Sequence, residues 1–112
     1  MIFETLHESS QRGELLLVRG GLCHWHLRRD GQLTIREIIS TRRGAGRAML
    51  SILRANETAT SIFAKCPDHL PSNEWYKRRG FVMEATETTK SGRTLNHWRL
   101  ALNPVGGISC LF

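Results

Sequence analysis

The stretch STRRGAGRAML, from Ser40 to Leu50, is where the pattern of apolar residues changes its period. Beyond Gly44, apolar residues recur at the i, i+3, i+4, i+7 and i+8 positions of an amphipathic helix. They are Ala45, Ala48, Met49, Ile52 and Leu53. The stretch therefore predicts the end of a strand, a glycine-rich turn, and a helix that runs from near Gly44 to near Asn56.

Upstream of this turn the sequence predicts three strands. Two turn signals, Gly20-Gly21 and Asp30-Gly31, divide the apolar segments. Asp-Gly between alternating runs is a strong hairpin signal, because both residues tolerate a positive φ. We expect antiparallel strands near 14–19, 22–28 and 32–39. In the third strand Ile38 interrupts the alternation, which indicates burial on both faces or a β-bulge at that point.

Downstream of the helix the sequence predicts a strand at 60–66, a helix between Pro71 and Gly80, and two strands at 81–88 and 94–102. The order is βββ-α-β-α-ββ. The fold class is therefore α/β (α+β), with a mixed, mostly antiparallel sheet and helices packed on it. The first helix is long enough for a right-handed crossover, so strands 32–39 and 60–66 should be parallel.

The composition favours an anionic partner. The 112 residues include 16 Lys and Arg against 10 Asp and Glu, which gives a net charge of +6 and a pI of about 10.0. The basic residues form two clusters: Arg42, Arg43 and Arg47, and later Lys77, Arg78 and Arg79. The length predicts one domain, 1–103, followed by a tail, 104–112.

The sequence shows no sign of export or of a membrane span. No apolar run approaches roughly 20 residues, and the first residues, MIFETLHESS, are acidic where a secretory leader is basic. Three cysteines, Cys23, Cys66 and Cys110, lack CxxC spacing, so we expect free thiols. His24 and His26 share a strand face without a third ligand, so we expect no metal. These features predict a cytoplasmic protein with no membrane partner.

The glycine-rich turn has the features of a phosphate site. Backbone amides and a helix dipole converge where a strand passes through a turn into a helix, and Gly44 and Gly46 let an anion approach the main chain. Arg42, Arg43 and Arg47 can add charge-assisted hydrogen bonds. The spacing matches neither a Walker P-loop nor a complete dinucleotide fingerprint, which disfavours a P-loop nucleotide and NAD.

Two motifs resemble those of the GNAT superfamily of N-acetyltransferases. TRRGAGRAML is similar to the acyl-CoA pyrophosphate loop, with Gly44 and Gly46 at the two glycine positions and Thr41 where glutamine or arginine is usual. SNEWYKRRGF is similar to the later Asn-x-x-Tyr-x-x-x-Gly-Phe motif, with Asn73 and Tyr76 in place. The resemblance covers roughly residues 14–102. It implies that the protein transfers an acyl group, expected to be acetyl, from acyl-CoA to an amine that attacks the thioester directly.

The resemblance also implies residue roles on the donor side. The pantetheine arm of acetyl-CoA would bond main-chain groups of Ile38 and Ile39, and Asn73 would belong to the CoA site. The pyrophosphate would lie on the loop. The loop residues are Thr41, Arg42, Arg43, Gly44, Ala45, Gly46 and Arg47.

The implied catalytic residues are Tyr76 as the acid that protonates the departing thiolate and Glu37 as the base. His24 and His26 are alternative bases, because an unperturbed imidazole titrates near neutral pH. Structural alternatives are an ion pair between Glu37 and a neighbouring arginine, Arg28 or Arg36, and a helix-capping role for Asn73.

Other functions and partners remain open from the sequence. The family's amino-terminal strand and helix pair looks absent, so the acceptor side would be open or completed by a second subunit in a homodimer. The chain resembles abbreviated members encoded by phages, which implies action in a host cytoplasm. A basic nucleic-acid-binding module and an inactive scaffold that binds acyl-CoA are the competing functions. An acyltransferase whose acceptor is a nucleic-acid base or a protein bound to DNA would combine acyl transfer with nucleic-acid binding.

Overall fold

The computed structural model describes residues 14–102, so the predicted tail at 104–112 and the thiol of Cys110 lie outside the described residues. The elements are β1 Leu15–Val18, β2 Gly21–Leu27, β3 Gln32–Ser40, α1 Ala45–Arg54, β4 Ser61–Pro67, α2 Ser72–Arg78, β5 Val82–Thr88 and β6 Thr94–Ala101. The predicted order βββ-α-β-α-ββ is confirmed, with boundaries close to those expected.

The strands form one six-stranded sheet in the order β1-β2-β3-β4-β6-β5. Neighbouring strands are antiparallel except β3 and β4, which are parallel and joined by the crossover helix α1. A parallel pair needs such a crossover, because its strands start at the same edge of the sheet. The mixed, mostly antiparallel sheet is therefore confirmed.

Both helices pack on the same face of the sheet. The apolar stripe of α1 and the buried Tyr76 of α2 join one core cluster with inward-facing strand residues. The largest fully buried side chains of the core are Leu33, Met49, Ile62 and Cys23. We call the opposite side of the sheet, which carries Glu37, Lys65 and His97, the second face. No helix among residues 14–102 is long and apolar enough to cross a membrane.

A β-bulge in β3 explains the interruption of its alternation, but it lies earlier than the sequence predicts. Glu37 pairs with His24, whereas Ile35 pairs with Trp25, so Arg36 is the extra residue. Because a bulge shifts the register by one, Ile38 returns to the helix-covered face that Ile35 occupies. The bulge expected at Ile38 is therefore corrected to Arg36.

The parallel strands β3 and β4 separate at the same level. Their pairing runs from Gln32 with Ser61 to Ile35 with Ala64 and then ends. Beyond it, residues 36–40 continue β3 without a β4 partner. The sheet therefore opens at its centre, on the side where the β3 chain enters the glycine-rich turn.

Candidate functional site

A cavity of about 610 Å³ lies where β3 ends, between the glycine-rich turn and α2. The residues that matter for its chemistry are Ile38, Arg42, Gly44, Gly46, Trp75 and Tyr76. The two sequence motifs, separate along the chain, therefore form opposite walls of one site. The site lies at the end of the sheet where β3 and β4 have separated.

The turn exposes several backbone amides at the start of α1. Five amides of this turn donate no hydrogen bond to any residue that the structure describes. They are the amides of Arg42, Arg43, Gly44, Gly46 and Arg47. The first amides of a helix have no partner within the helix, and the helix dipole makes this end partially positive. The turn is therefore suited to bind an anion.

Two other amides of the predicted loop are not available to a ligand. The amide of Ala45 donates to the Arg42 carbonyl at 3.1 Å. The amide and hydroxyl of Thr41 both donate to the Gly20 carbonyl, at 2.8 and 3.2 Å. Thr41 thus ties the turn to the β1–β2 hairpin, and neither residue lines the cavity.

The two glycines of the turn are required for different reasons. Gly44 has a φ of 88°, in the left-handed region that side chains disfavour. Gly46 has ordinary helical geometry, but a Cβ placed there would lie 3.1 Å from the Trp75 Cζ2 atom. Gly46 therefore allows α1 and α2 to approach each other, and Gly44 gives the turn its shape.

Three arginines of the turn, Arg42, Arg43 and Arg47, line the cavity and are exposed. None of them forms an ion pair within residues 14–102. Their guanidinium groups are free to donate charge-assisted hydrogen bonds to an anion on the amides. The electrostatics of the turn and its free amides favour the same kind of ligand.

The predicted main-chain partners Ile38 and Ile39 lie on the separated part of β3. The Ile38 side chain points to the helix-covered face and lines the cavity, whereas Ile39 is 47% exposed on the second face. Since β4 no longer pairs with this part of β3, one backbone edge of the strand faces the opening. An extended ligand arm can add to such an edge by main-chain hydrogen bonds.

Tyr76 is buried, yet it lines the cavity. Its ring packs edge-on against Trp75 and Phe81, with centroids 5.3 and 5.1 Å away, and stacks on Trp98 at 6.3 Å. Burial raises the pKa of the Tyr76 phenol above its usual range, and the nearby thiols of Cys66 and Cys23 act in the same direction. The phenol is therefore protonated at neutral pH.

Glu37 lies on the second face, because it neighbours Ile38 along the strand and pairs with His24 across it. It is half-buried and makes no ion pair within the described part of the chain, while Arg28 pairs instead with Asp30 at 2.8 Å. The structure thus does not bring Glu37 and the predicted acid to one face. The two flank the opening between β3 and β4 from opposite sides.

The two alternative bases have different surroundings on the second face. His24 is 5% exposed and lies directly opposite Glu37. His26 contacts the Glu14 carboxylate through Nδ1 at 2.6 Å, farther from the separated end of β3. His24 is therefore the closer of the two histidines to the opening.

Asn73 fixes α2 to the sheet. Its Nδ2 donates to the Pro67 and Leu70 carbonyls, both at 2.8 Å. Its Oδ1 accepts from Asn96 Nδ2 at 3.0 Å and from Trp98 Nε1 at 2.9 Å. Because both ends of the amide have protein partners, Asn73 holds the tyrosine-bearing helix in place, and it does not line the cavity.

Sequence reasoning missed several residues that line the cavity. Ser72, Trp75 and Arg79 line it together with Tyr76. These positions follow the i, i+3, i+4, i+7 spacing that places residues on one face of a helix. Applied to the second motif, that spacing would have found them.

Comparison with solved structures identifies the fold. A GNAT-family acetyltransferase from Bacillus cereus ATCC 10987 superposes with a TM-score of 0.78 at 15% identity, covering 88% of this chain and 78% of that one. A Bacillus anthracis protein assigned as a streptothricin acetyltransferase, solved with acetyl coenzyme A, gives 0.72 at 14% identity, covering 87% and 68%.

A GNAT-family protein from Desulfovibrio desulfuricans gives a TM-score of 0.64 at 21% identity, covering 73% of this chain; this chain spans 60% of that protein's length. No protein-family model matches the sequence, and no curated protein matches it. The chain therefore has the GNAT acetyltransferase fold.

Proposed function

We propose that this protein is an acyl-CoA-dependent N-acetyltransferase. The observation that carries the proposal is the group of five free amides in the turn, residues 42–47, next to the point where β3 and β4 separate. A diphosphate fits the amides and the arginines, and an extended pantetheine arm fits the open edge of β3. Similarity to GNAT-family acetyltransferases, one of them solved with acetyl coenzyme A, supports the same ligand.

The residues of the site have the roles that such a transfer needs. Acetyl-CoA, when bound, supplies a thioester whose carbonyl carbon can accept an amine. Glu37, or a water that it orients, takes the proton that the amine loses as the new C–N bond forms. Tyr76 donates its phenolic proton to the sulfur as the C–S bond breaks. Burial holds the pKa of Tyr76 above its usual range, so the proton is present at neutral pH.

The acceptor amine would approach from the second face. Glu37 borders the opening there, and Lys65 and His97 lie across it on β4 and β6. Both of these groups contact the Glu87 carboxylate, at 2.9 and 2.8 Å. A polar surface of this kind suits a polar amine acceptor. The proposal therefore names a polar amine as the acceptor. It also includes a second subunit that completes this side of the site in a homodimer.

Thermal melts with CoA, acetyl-CoA and duplex DNA test the ligand class. A ligand at about 100 times its Kd adds about 2.7 kcal/mol to the free energy of unfolding. We expect both CoA compounds to raise the melting temperature and DNA to leave it unchanged. A shift with DNA and none with either CoA compound would favour the nucleic-acid module instead.

Thiol release from acetyl-CoA, screened against a panel of amines, tests turnover. With an accepted amine, Glu37→Gln should lower kcat about 100-fold, because the amide cannot take a proton, while the Kd of acetyl-CoA stays unchanged. Glu57→Gln, at an exposed position after α1, is the matched control and should behave as the wild type. Binding without thiol release from any amine would leave the inactive scaffold as the better description.

A further inference from the structure

A second, smaller cavity of about 270 Å³ adjoins the first and is lined by residues of α1 and of the carboxyl-terminal end of α2. Its lining includes four arginines, which we call the arginine groove: Arg47, Arg54, Arg78 and Arg79. Three of them, Arg47, Arg78 and Arg79, also line the first cavity. The two cavities therefore form one continuous surface.

The arginine groove combines side chains of both helices. On α1, Arg47, Ser51 and Arg54 follow i, i+4, i+7 spacing and so lie on one face. At a rise of about 1.5 Å per residue, Arg54 is roughly 10 Å farther along the helix axis than Arg47. Arg78 is the last residue of α2, and Arg79 follows it as the C-cap. The groove thus leads away from the free amides of the turn.

No residue of the described chain, 14–102, neutralises the charges of the groove. None of the four arginines forms an ion pair with another residue of the described chain. The Arg79 Nε atom is buried and has no hydrogen-bond partner there. A basic residue at a helix carboxyl terminus is favourable by itself, which accounts for Arg54 and Arg78 individually. It does not account for an unpartnered buried donor or for the convergence of arginines from two helices.

We propose that the arginine groove binds the 3′-phosphate of coenzyme A and makes the protein selective for CoA over 3′-dephospho-CoA. This inference rests on the proposed function. In CoA one ribose separates the pyrophosphate from the 3′-phosphate, so a pyrophosphate on the turn leaves the 3′-phosphate within reach of the arginine groove. A phosphate monoester carries a charge between −1.5 and −2 at about pH 7, and its three oxygens suit the planar donors of arginine.

Isothermal titration of CoA and 3′-dephospho-CoA at one ionic strength tests this inference. The wild type should bind CoA about tenfold or more tightly than 3′-dephospho-CoA, since a hydrogen bond between charged groups is worth that much. Arg54→Gln, at an exposed position, should reduce the preference to about threefold or less by weakening only the binding of CoA. Arg93→Gln, exposed in the β5–β6 turn, is the matched control and should keep the wild-type preference.

The possible failures are distinguishable. Equal wild-type affinities for the two compounds would overturn the inference and leave the proposed function in place. Binding of neither compound would overturn both. A preference for CoA that Arg54→Gln leaves intact would overturn the assignment to this groove. Loss of binding to a short DNA duplex in Arg54→Gln, with the preference for CoA unchanged, would also overturn this assignment. The groove would then be a site for nucleic-acid phosphates.

Discussion

At the scale of single residues, the proposed donor site depends most on Gly44. Its φ of 88° shapes the turn, and a Cβ built on it meets no atom within 4 Å. Gly92, in the β5–β6 turn, has a φ of 86° and equally open surroundings. A side chain at either glycine therefore has a similar backbone cost, but only one of the two positions adjoins the free amides.

This pair of glycines gives a controlled prediction. Gly44→Glu and Gly92→Glu should each lower the free energy of unfolding by about 1 kcal/mol, because a side chain disfavours the left-handed region. Only Gly44→Glu should abolish CoA binding, since its carboxylate would occupy the anion site. Urea unfolding and calorimetric titration measure the two effects. Retained CoA affinity in Gly44→Glu would refute the placement of the pyrophosphate.

Tyr76 gives the second prediction at this scale. Tyr76→Phe keeps the ring that packs against Phe81 and Trp98 but removes the phenolic hydroxyl, which is the proposed proton donor. We expect kcat to fall about 100-fold or more while the Kd of acetyl-CoA and the melting temperature change little. Steady-state thiol release and titration measure these quantities. Unaltered turnover would remove the role of Tyr76 as the acid.

At the scale of elements, the short helix α2 keeps its position through Asn73 and its four hydrogen bonds. Asn73→Ala should lower the free energy of unfolding by about 2 kcal/mol or more, because it leaves several partly buried partners unpaired. Asn96→Ala, which removes one of the four bonds, is the graded control and should cost about 1 kcal/mol. Equal losses in the two variants would contradict the central role of Asn73.

The order of elements could be predicted from the sequence because it depends on local signals. Strand alternation, the Asp30-Gly31 turn and the helical stripe after Gly44 each act within a few residues. The bulge was predicted at Ile38 and lies at Arg36, because a break in alternation shows only that a residue has been inserted. The inserted residue is defined by pairing with β2, which local periodicity does not contain.

The candidate site could be predicted only in part for the same reason. The loop and Tyr76 lie in contiguous motifs, and both line the cavity. The bonds of Asn73 to Asn96 and Trp98 join distant parts of the chain, so they exist only once β6 lies beside β4. A motif identifies a residue but does not give its long-range partners.

At the scale of the whole molecule, the two faces of the sheet differ. Both helices lie on one face, and the arginine groove forms because they lie side by side there. Arg54 and Arg79 are far apart in sequence, which is why composition predicts an anionic partner but not the place where it binds. The second face carries carboxylates and histidines beside the same opening. The proposed donor and acceptor sites therefore lie on opposite sides of one sheet.

A buried thiol in the core makes the protein less stable at alkaline pH. Burial raises the pKa of the Cys23 thiol from its usual 9.0 to about 12. The unfolded chain therefore ionises first, so this stabilisation is complete below pH 9 and is lost as pH rises from 9 towards 12. At pH 10 the loss from this thiol is about 1 kcal/mol, and Tyr76 adds to it at higher pH.

Urea unfolding at pH 7.5 and pH 10, followed by tryptophan fluorescence, measures this dependence. Cys23→Ala should be less stable than the wild type at pH 7.5, because it leaves a small cavity. It should lose less additional stability between the two pH values, because it has no buried thiol to ionise. Identical losses in the two proteins would show that the thiol does not contribute.

The most direct test of the central claim is a titration of ¹⁵N-labelled protein with coenzyme A, followed by amide resonances. The account predicts saturable shifts that are largest for the free amides of the turn, including Gly44, Gly46 and Arg47, with Gly92 unmoved as the internal control. An unchanged turn, or shifts confined to the second face, would contradict the claim that a diphosphate binds where β3 passes into α1.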